Sequence, residues 1–128
     1  MSERQVIAPS SGPPAVGPYS PAIRAGNLLF LSGQIPLDPA TGRLVTGDIA
    51  LQTEQVMRNL EALLRAAGAG FDHVVKTTVF LLDLADFGAM NAVYERHVGT
   101  PPPARATVQV ARLPRDVRIE IDAIAVLP

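Results

Sequence analysis

The 128-residue sequence contains no cysteine, which excludes disulfide bridges, thiolate nucleophiles and zinc sites built from cysteine. It also lacks an excess of positive charge. Eleven Lys and Arg against twelve Asp and Glu give a net charge of -1, too little to hold a nucleic acid backbone. No stretch approaches the ~20 apolar residues of a membrane span or the apolar core of a signal peptide. We therefore expect a soluble cytoplasmic protein that binds neither nucleic acid nor membrane.

What the sequence does have is apolar side chains. Hydrophobic residues make up 48% of the chain and charged residues 18%, a composition typical of a folded protein rather than a disordered one. The length suits one domain over residues 1–128, because two separate cores would each be small. Few charges on so small a protein point to self-association.

The first half of the chain shows two elements. A strand is predicted over about residues 28–32, ending at Gly33, and "DPATG" predicts a turn followed by a hairpin return through "RLV". Ahead of that strand, "SSGPPAVGPYSPA" is typical of a rigid extended segment. Apolar residues at helical spacing then predict a long amphipathic helix from about Asp48 to Ala67, stopped by Gly68.

In the second half, "HVVKTTVFLLD" is a β-branched run of strand length. Asp83 or Asp86 is the predicted N-cap of a second helix that runs to about His97, with an apolar side formed by Phe87, Met90, Val93 and Tyr94. Two strands follow, at about 104–110 and 117–126, joined by "ARLPRD". The order ββαβαββ predicts an α+β fold whose sheet is covered on one face.

Alternation places Arg105, Thr107 and Gln109 on one face of the first of these strands. In the second strand, Glu120 and Asp122 share a face. A hairpin that joins the two strands pairs Thr107 with Glu120 and sets Arg105 diagonally from Glu120, roughly 5–8 Å away. Both side chains would then belong to one polar face of one chain.

Two helices cannot cover every apolar residue of this sheet, among them Phe80, Leu82, Ile124 and Val126. We therefore expect a homo-oligomer that packs through the second sheet face and partly buries Arg105 and Glu120 at the subunit boundary.

Arg105 has two interpretations. Its planar guanidinium suits a carboxylate held by two hydrogen bonds, whereas the alternative is a cross-strand salt bridge to Asp122 or Glu120. Glu120 could order a water and shuttle protons. Its pKa would be raised by burial or lowered by Arg105, and the sequence leaves that direction open.

Other polar residues favour structural roles. His73 and His97 have no carboxylate at a ligand-like offset, so no metal site is expected. Ser32 in "LSGQ" is a turn serine that could donate to a ligand, and Lys76 alternates within a strand. Tyr19 is either a pocket wall or an anchor for its proline-rich segment, while Asn91 favours a structural hydrogen bond. No nucleotide motif is present.

Five blocks, "GPYSPAI", "SGQIPLDPATG", "VVKTTVFLLDLADFGAMNAVYE", "PPARATVQVARLP" and "IEIDAIAV", together resemble the RidA family, also called YjgF or L-PSP proteins, across nearly the whole chain. The resemblance implies a chorismate-mutase-like mixed β-sheet with two helices packed on one face. It also implies a homotrimer with clefts between the subunits.

The resemblance further implies hydrolysis of reactive enamines and imines, such as 2-aminoacrylate and 2-iminobutanoate, which pyridoxal-phosphate dehydratases release. The products are 2-oxo acids and ammonia, and no cofactor is implied. Arg105 matches the arginine expected to hold the substrate carboxylate, and Glu120 matches the glutamate expected to position water. The cleft positions of the family correspond to Tyr19, Ser32, Gly33, Asn91 and Thr107, where threonine replaces the cysteine of many members.

Three other functions remain open at this point. A related deaminase acts on 3-aminoacrylate in pyrimidine breakdown, and a non-enzymatic member could bind small carboxylates or client segments. The ribonuclease activity of some animal relatives fits poorly with the net charge. Which subunit supplies Glu120 to a site that contains Arg105 is also open.

Overall fold

The computed structural model describes residues 3–9, 15 and 17–128. The described chain forms eight strands, which are β1 (Arg4–Ile7), β2 (Ala22–Ala25), β3 (Leu28–Gln34), β4 (Leu37–Asp38), β5 (Arg43–Leu44), β6 (Val74–Leu81), β7 (Ala104–Gln109) and β8 (Ile119–Val126). Two α-helices, α1 (Ile49–Ala66) and α2 (Phe87–Val98), and three short 3₁₀ turns complete it. Six strands form one mixed sheet in the order β1-β2-β3-β8-β6-β7, and β4 and β5 form a separate ribbon.

Helix α1 confirms the predicted amphipathic helix. Asp48 caps it, because its Oδ1 accepts a hydrogen bond of 3.0 Å from the backbone N–H of Leu51. The apolar positions Val56, Leu60 and Leu64 are completely buried. Gly68 follows the helix at φ +77°, a conformation that glycine adopts without a steric penalty and that ends helices.

The second helix begins in two steps. Asp83 caps a 3₁₀ turn over Leu84–Asp86, with its Oδ1 accepting from the N–H of Ala85 at 2.9 Å, and α2 follows directly. The predicted apolar side is only partly buried, since Phe87 remains 42% exposed while Tyr94 is 5% exposed.

The predicted hairpin between the last two strands is wrong. Strand β7 pairs in parallel with β6, whereas β8 pairs antiparallel with β3 on one side and with β6 on the other. Helix α2 joins β6 to β7 as a crossover, which brings the two strands into parallel pairing. The connection after β7 therefore passes the end of β6, turning through left-handed φ values at Arg115 and Asp116.

The predicted first hairpin is also wrong in its partner. The return strand β5 pairs with β4, which precedes the turn, and β3 pairs instead with β2 and β8. The turn forms as predicted, because Asp38 accepts through Oδ1 from the Ala40 N–H and through its carbonyl from the Gly42 N–H. Strands β1 and β2 were not predicted, and part of the proline-rich segment lies outside the described residues.

The sheet has two different faces. Both helices pack on one face, as predicted, over a core that includes Leu29, Val79 and Ile121. The other face, called the open face below, carries the side chains that alternate with this core. Its members include Val6, Ile23, Leu28, Phe30, Lys76, Thr78, Phe80, Ala106, Val108, Glu120, Asp122, Ile124 and Val126. No described helix is long and apolar enough to cross a membrane.

Candidate functional site

Arg105 and Glu120 lie on opposite faces of the sheet. Arg105 is the cross-strand neighbour of Thr77, and Glu120 is the cross-strand neighbour of Phe80. Side chains of directly opposed residues point to the same face, and residues an odd number apart on a strand point to opposite faces. Thr77 is buried beneath the helices while Phe80 belongs to the open face. The predicted diagonal contact of Arg105 with Glu120 is therefore wrong, since β6 separates their strands.

The guanidinium of Arg105 lies between two aromatic rings. Its Cζ is 4.9 Å from the centroid of Tyr94 and 5.5 Å from the centroid of Phe87, both on α2. In the described part of the chain, no carboxylate oxygen lies within 4.0 Å of the Arg105 nitrogens, the distance that defines an ion pair. The predicted alternative, a salt bridge to Asp122 or Glu120, is therefore absent. Arg105 is half-buried on the edge strand β7, and no carboxylate of the described residues balances its charge.

A depression of about 370 Å³ opens beside Arg105. Its lining comes from α2 and from the segment before β7, namely Asn91, Tyr94, Glu95, Val98, Pro102, Pro103 and Arg105. Asn91 Oδ1 is buried and has no hydrogen-bond partner among the described residues, so the structural bond favoured from sequence does not form at that atom. Thr107 follows on the same face of β7, opposite Val79. We call Arg105, Asn91 and Thr107 the arginine half-site.

Glu120 lies against Gly33 at the irregular end of the β3–β8 pairing. A Cβ added to Gly33 would collide with Glu120 Oε2 and would stand 2.8 Å from its Cδ, so only glycine leaves room for the carboxylate in this position. Burial raises the pKa of Glu120 above its ordinary value, and the negative charge of Asp122 adds to the effect. The direction that the sequence left open is thus upward, because Arg105 is not near enough to lower it.

Ser32, which precedes Gly33, is hydrogen-bonded to the segment that follows Tyr19. The Ser32 hydroxyl donates to the carbonyl of Ser20 at 2.6 Å, and the Ser32 N–H donates to the carbonyl of Pro21 at 2.9 Å. Its proton is therefore engaged within the chain, although the hydroxyl oxygen can still accept a hydrogen bond. Tyr19 is half exposed beside Ser20. We call Tyr19, Ser32, Gly33 and Glu120 the glutamate half-site.

The histidines belong to other contacts. His73 Nδ1 accepts from the Gly70 N–H at 3.0 Å, and His97 Nε2 lies 2.9 Å from Glu54 Oε1, which links α2 to α1. Within the described ranges, no three His, Asp or Glu side chains cluster as metal ligands.

Phe87 and Tyr94 were missed as functional candidates from the sequence, where they were assigned to the apolar side of α2. Their spacing of seven residues places both on one face of a helix, two turns apart. This spacing, together with an arginine in the next strand along the chain, is the signal that could have indicated them.

Comparison with known proteins identifies the family. The family model described as Endoribonuclease L-PSP matches residues 10–127. The chain belongs to the L-PSP family, also called RidA or YjgF. Among curated proteins it is 56% identical to Protein DfrA of Myxococcus xanthus over 125 residues, covering 96% of this chain and 95% of that protein. It is 47% identical to the 2-iminobutanoate/2-iminopropanoate deaminase of Mus musculus over 123 residues, covering 96% and 91%.

A solved structure of this family extends the comparison. The crystal structure of E. coli TdcF with bound serine superposes with a TM-score of 0.91 at 41% identity, covering 97% of this chain and 99% of that one. The L-PSP fold, a mixed sheet with two helices on one face, is therefore shown for this chain. The bound serine shows that TdcF takes a small molecule.

Proposed function

We propose that this L-PSP protein is a deaminase that hydrolyses small enamine and imine carboxylates, such as 2-aminoacrylate and 2-iminobutanoate. The observation that carries the proposal is the uncompensated guanidinium of Arg105, held at the edge of a depression of about 370 Å³. An arginine without a carboxylate partner can bind the carboxylate of a ligand through two parallel hydrogen bonds. The mouse relative's name, 2-iminobutanoate/2-iminopropanoate deaminase, supports this choice of substrate.

The second part of the proposal is that each site is shared by two copies of the chain. One chain holds its two half-sites on opposite faces of its sheet, so it cannot bring Arg105 and Glu120 to the same ligand. Strand β7 is the edge of the sheet, and the open face presents exposed Phe30, Val108 and Val126. A neighbouring copy that packs on this face would set its glutamate half-site near the Arg105 edge of the first. We propose a homotrimer with three such clefts.

The proposed reaction follows from these groups. Arg105 binds the substrate carboxylate, and the enamine gains a proton at C3 and loses one at nitrogen to become the imine. Water attacks C2, its oxygen bonding to carbon while one of its protons goes to nitrogen. The hydroxyl proton of the carbinolamine then moves to the nitrogen as the C–N bond breaks and the C–O bond becomes double, giving the 2-oxo acid and ammonia. A glutamate with a raised pKa can accept the proton of the attacking water and return it to the leaving nitrogen.

The family description mentions endoribonuclease activity, but this chain offers little to an RNA backbone. Its net charge is -1, whereas a phosphate-binding surface requires clustered cations. We propose that the substrate instead comes from a pyridoxal-phosphate dehydratase, and that the protein acts in the cytoplasm where such an imine would be released.

A trapping assay tests the activity. Threonine dehydratase generates 2-iminobutanoate, semicarbazide traps it, and we expect the added protein to lower the trapped fraction at catalytic concentration. Arg105→Ala should abolish the effect while the oligomer remains intact by light scattering. Arg65→Ala, which removes an arginine that is 75% exposed on α1, is the matched control and should retain it. A wild-type protein that leaves the trapped fraction unchanged would refute the deaminase proposal.

Mixed assemblies test the shared site. Arg105→Ala and Glu120→Gln chains, each expected to have only a small residual activity alone, are denatured together and refolded in equal amounts. If Arg105 and Glu120 of one site come from different copies, every mixed trimer holds one intact site of three, and about a quarter of wild-type activity returns. If both come from the same chain, no activity returns.

A further inference from the structure

The position of the Arg105 guanidinium requires an explanation, because no ion pair in the described residues fixes it. A carboxylate partner would hold the side chain but would also occupy the N–H groups that a substrate carboxylate needs. The two aromatic rings hold it differently. A cation over a ring face is attracted to the π electrons and keeps its in-plane N–H donors available.

The first ring is fixed from the strand beside Arg105. The Tyr94 hydroxyl shares a buried hydrogen bond of 2.7 Å with Thr77 Oγ1. Thr77 is the cross-strand neighbour of Arg105 on β6, so the residue next to the arginine also orients the ring that the arginine contacts. Tyr94 is 5% exposed, and its face is therefore held by the core.

The start of α2, which carries the second ring, is held by polar contacts. Asp86, directly before Phe87, accepts two hydrogen bonds from Arg118 Nη2, at 2.8 and 2.9 Å. The backbone N–H of Leu84 donates to Gln109 Oε1 on β7 at 2.9 Å. Phe87 itself is 42% exposed, so burial in the core does not account for its place over the guanidinium.

We infer that Phe87 and Tyr94 are positioning residues that hold Arg105 between their rings, so that its N–H donors are ordered before a carboxylate arrives. The inference rests on the proposed function for the identity of the ligand. Ordering a long side chain in advance removes an entropic penalty from binding. The loss of either ring face should therefore weaken carboxylate binding without removing the positive charge.

Phe87→Leu is the test variant, because it keeps an apolar side chain of similar size and removes the ring. Phe87→Tyr keeps the ring and is its matched control, and Tyr94→Phe keeps the second ring without its hydroxyl. The first readout is the ¹⁵N order parameter of the Arg105 Nε–Hε group in the assembled protein, assigned from its absence in Arg105→Lys. We expect a value of about 0.8 in the wild type and in Phe87→Tyr, and below about 0.6 in Phe87→Leu.

The second readout is the Kd of 2-oxobutanoate, measured by titration calorimetry. We expect Phe87→Leu to weaken binding about three- to ten-fold, and Phe87→Tyr to leave it within about two-fold of wild type. A mobile Arg105 in the wild type, or the same order parameter in Phe87→Leu, would overturn the inference. Equal Kd values for Phe87→Leu and wild type would overturn it as well.

These outcomes are separable from the proposed activity. An ordered Arg105 that loosens in Phe87→Leu, in a protein that hydrolyses no imine, would uphold the positioning role and refute the deaminase. Imine hydrolysis with an Arg105 that is mobile in the wild type would do the reverse.

Discussion

Replacing Gly33 by alanine should displace the Glu120 carboxylate while the fold remains intact. The added Cβ would collide with Glu120 Oε2, its nearest neighbour, and would stand 2.8 Å from Cδ, whereas ordinary contacts begin at 3.4 Å. The Cδ atom must therefore retreat by 0.6 Å (3.4 minus 2.8), and Oε2 by more. The displaced atoms are the far end of a flexible side chain, so the free energy of unfolding should fall by about 1 kcal/mol or less. Since a misplacement of about 1 Å can reduce a rate a hundred-fold, we expect kcat to fall about ten- to a hundred-fold.

The measurement is steady-state imine hydrolysis, with unfolding in urea as the stability check. KM should change little, because in the proposed site the substrate carboxylate is bound by Arg105 of another copy, whose contacts with Phe87 and Tyr94 the substitution leaves intact. Gly88→Ala is the matched control. Gly88 lies in the first turn of α2, and a Cβ added there meets nothing within 4 Å, so alanine should be tolerated without loss of stability.

A double-mutant cycle makes this reasoning refutable. In a Glu120→Gln background the carboxylate is already lost, so Gly33→Ala should reduce the residual kcat much less than it does in the wild type. Wild-type kcat in Gly33→Ala would show that Glu120 does not need its observed position. An equal loss in both backgrounds would show that Gly33 acts through some other group.

Three further predictions concern stability. Burial, together with Asp122, raises the pKa of Glu120, so the folded chain loses stability as pH rises from the ordinary value of 4.5 through the raised value. Glu120→Gln should therefore unfold at higher urea concentration than wild type at pH 7, and the two should converge at pH 4 and below. The hydrogen bond from His97, ahead of that from Arg58, lowers the pKa of Glu54, so its stabilisation is present above pH 4.5 and is lost as pH falls through the lowered value. Glu54→Gln should be less stable than wild type at pH 7 by up to about 1 kcal/mol, with a difference that shrinks on acidification in the same urea assay. Asn91→Leu removes a buried oxygen that has no hydrogen-bond partner among the described residues, and it should raise the free energy of unfolding by about 1 kcal/mol.

A specific outcome would contradict each of the three stability predictions. A Glu120→Gln protein less stable than wild type at pH 7 would mean that the charged carboxylate is stabilised in the folded state. A Glu54→Gln effect that is equal at pH 7 and pH 3 would place its origin in packing rather than charge. A destabilised Asn91→Leu would show that the amide makes a hydrogen bond in solution.

The positions of helices and strands were predictable from the sequence, whereas the pairing of the strands was not. Helix α1 was predictable because Asp48, its apolar positions and Gly68 are local signals that act within a few residues. The partner of β8 was not, since alternation assigns each residue to a face of its own strand and does not identify the adjacent strand. "ARLPRD" is short enough for a hairpin, and only the tertiary arrangement, with α2 crossing over β6, excludes one.

The same limit applies to the candidate site. Arg105 and Glu120 were both selected from sequence, but the expected contact between them depended on a wrong pairing. Asn91 was predicted to make a structural hydrogen bond, and its Oδ1 makes none with the described residues. Phe87 was not selected as a site residue, because its helical spacing predicted a place in the core. The structure instead leaves it partly exposed, with its ring beside the Arg105 guanidinium.

The separation of Arg105 from Glu120 by one β-sheet has a consequence for how activity would depend on concentration. A newly made chain would carry both groups and yet have no complete site, because the sheet itself stands between them. If neighbouring copies complete the sites, dilution below the association threshold should lower the activity per chain. A folded monomer would then be inactive, and association with further copies of the chain would be the step that produces activity.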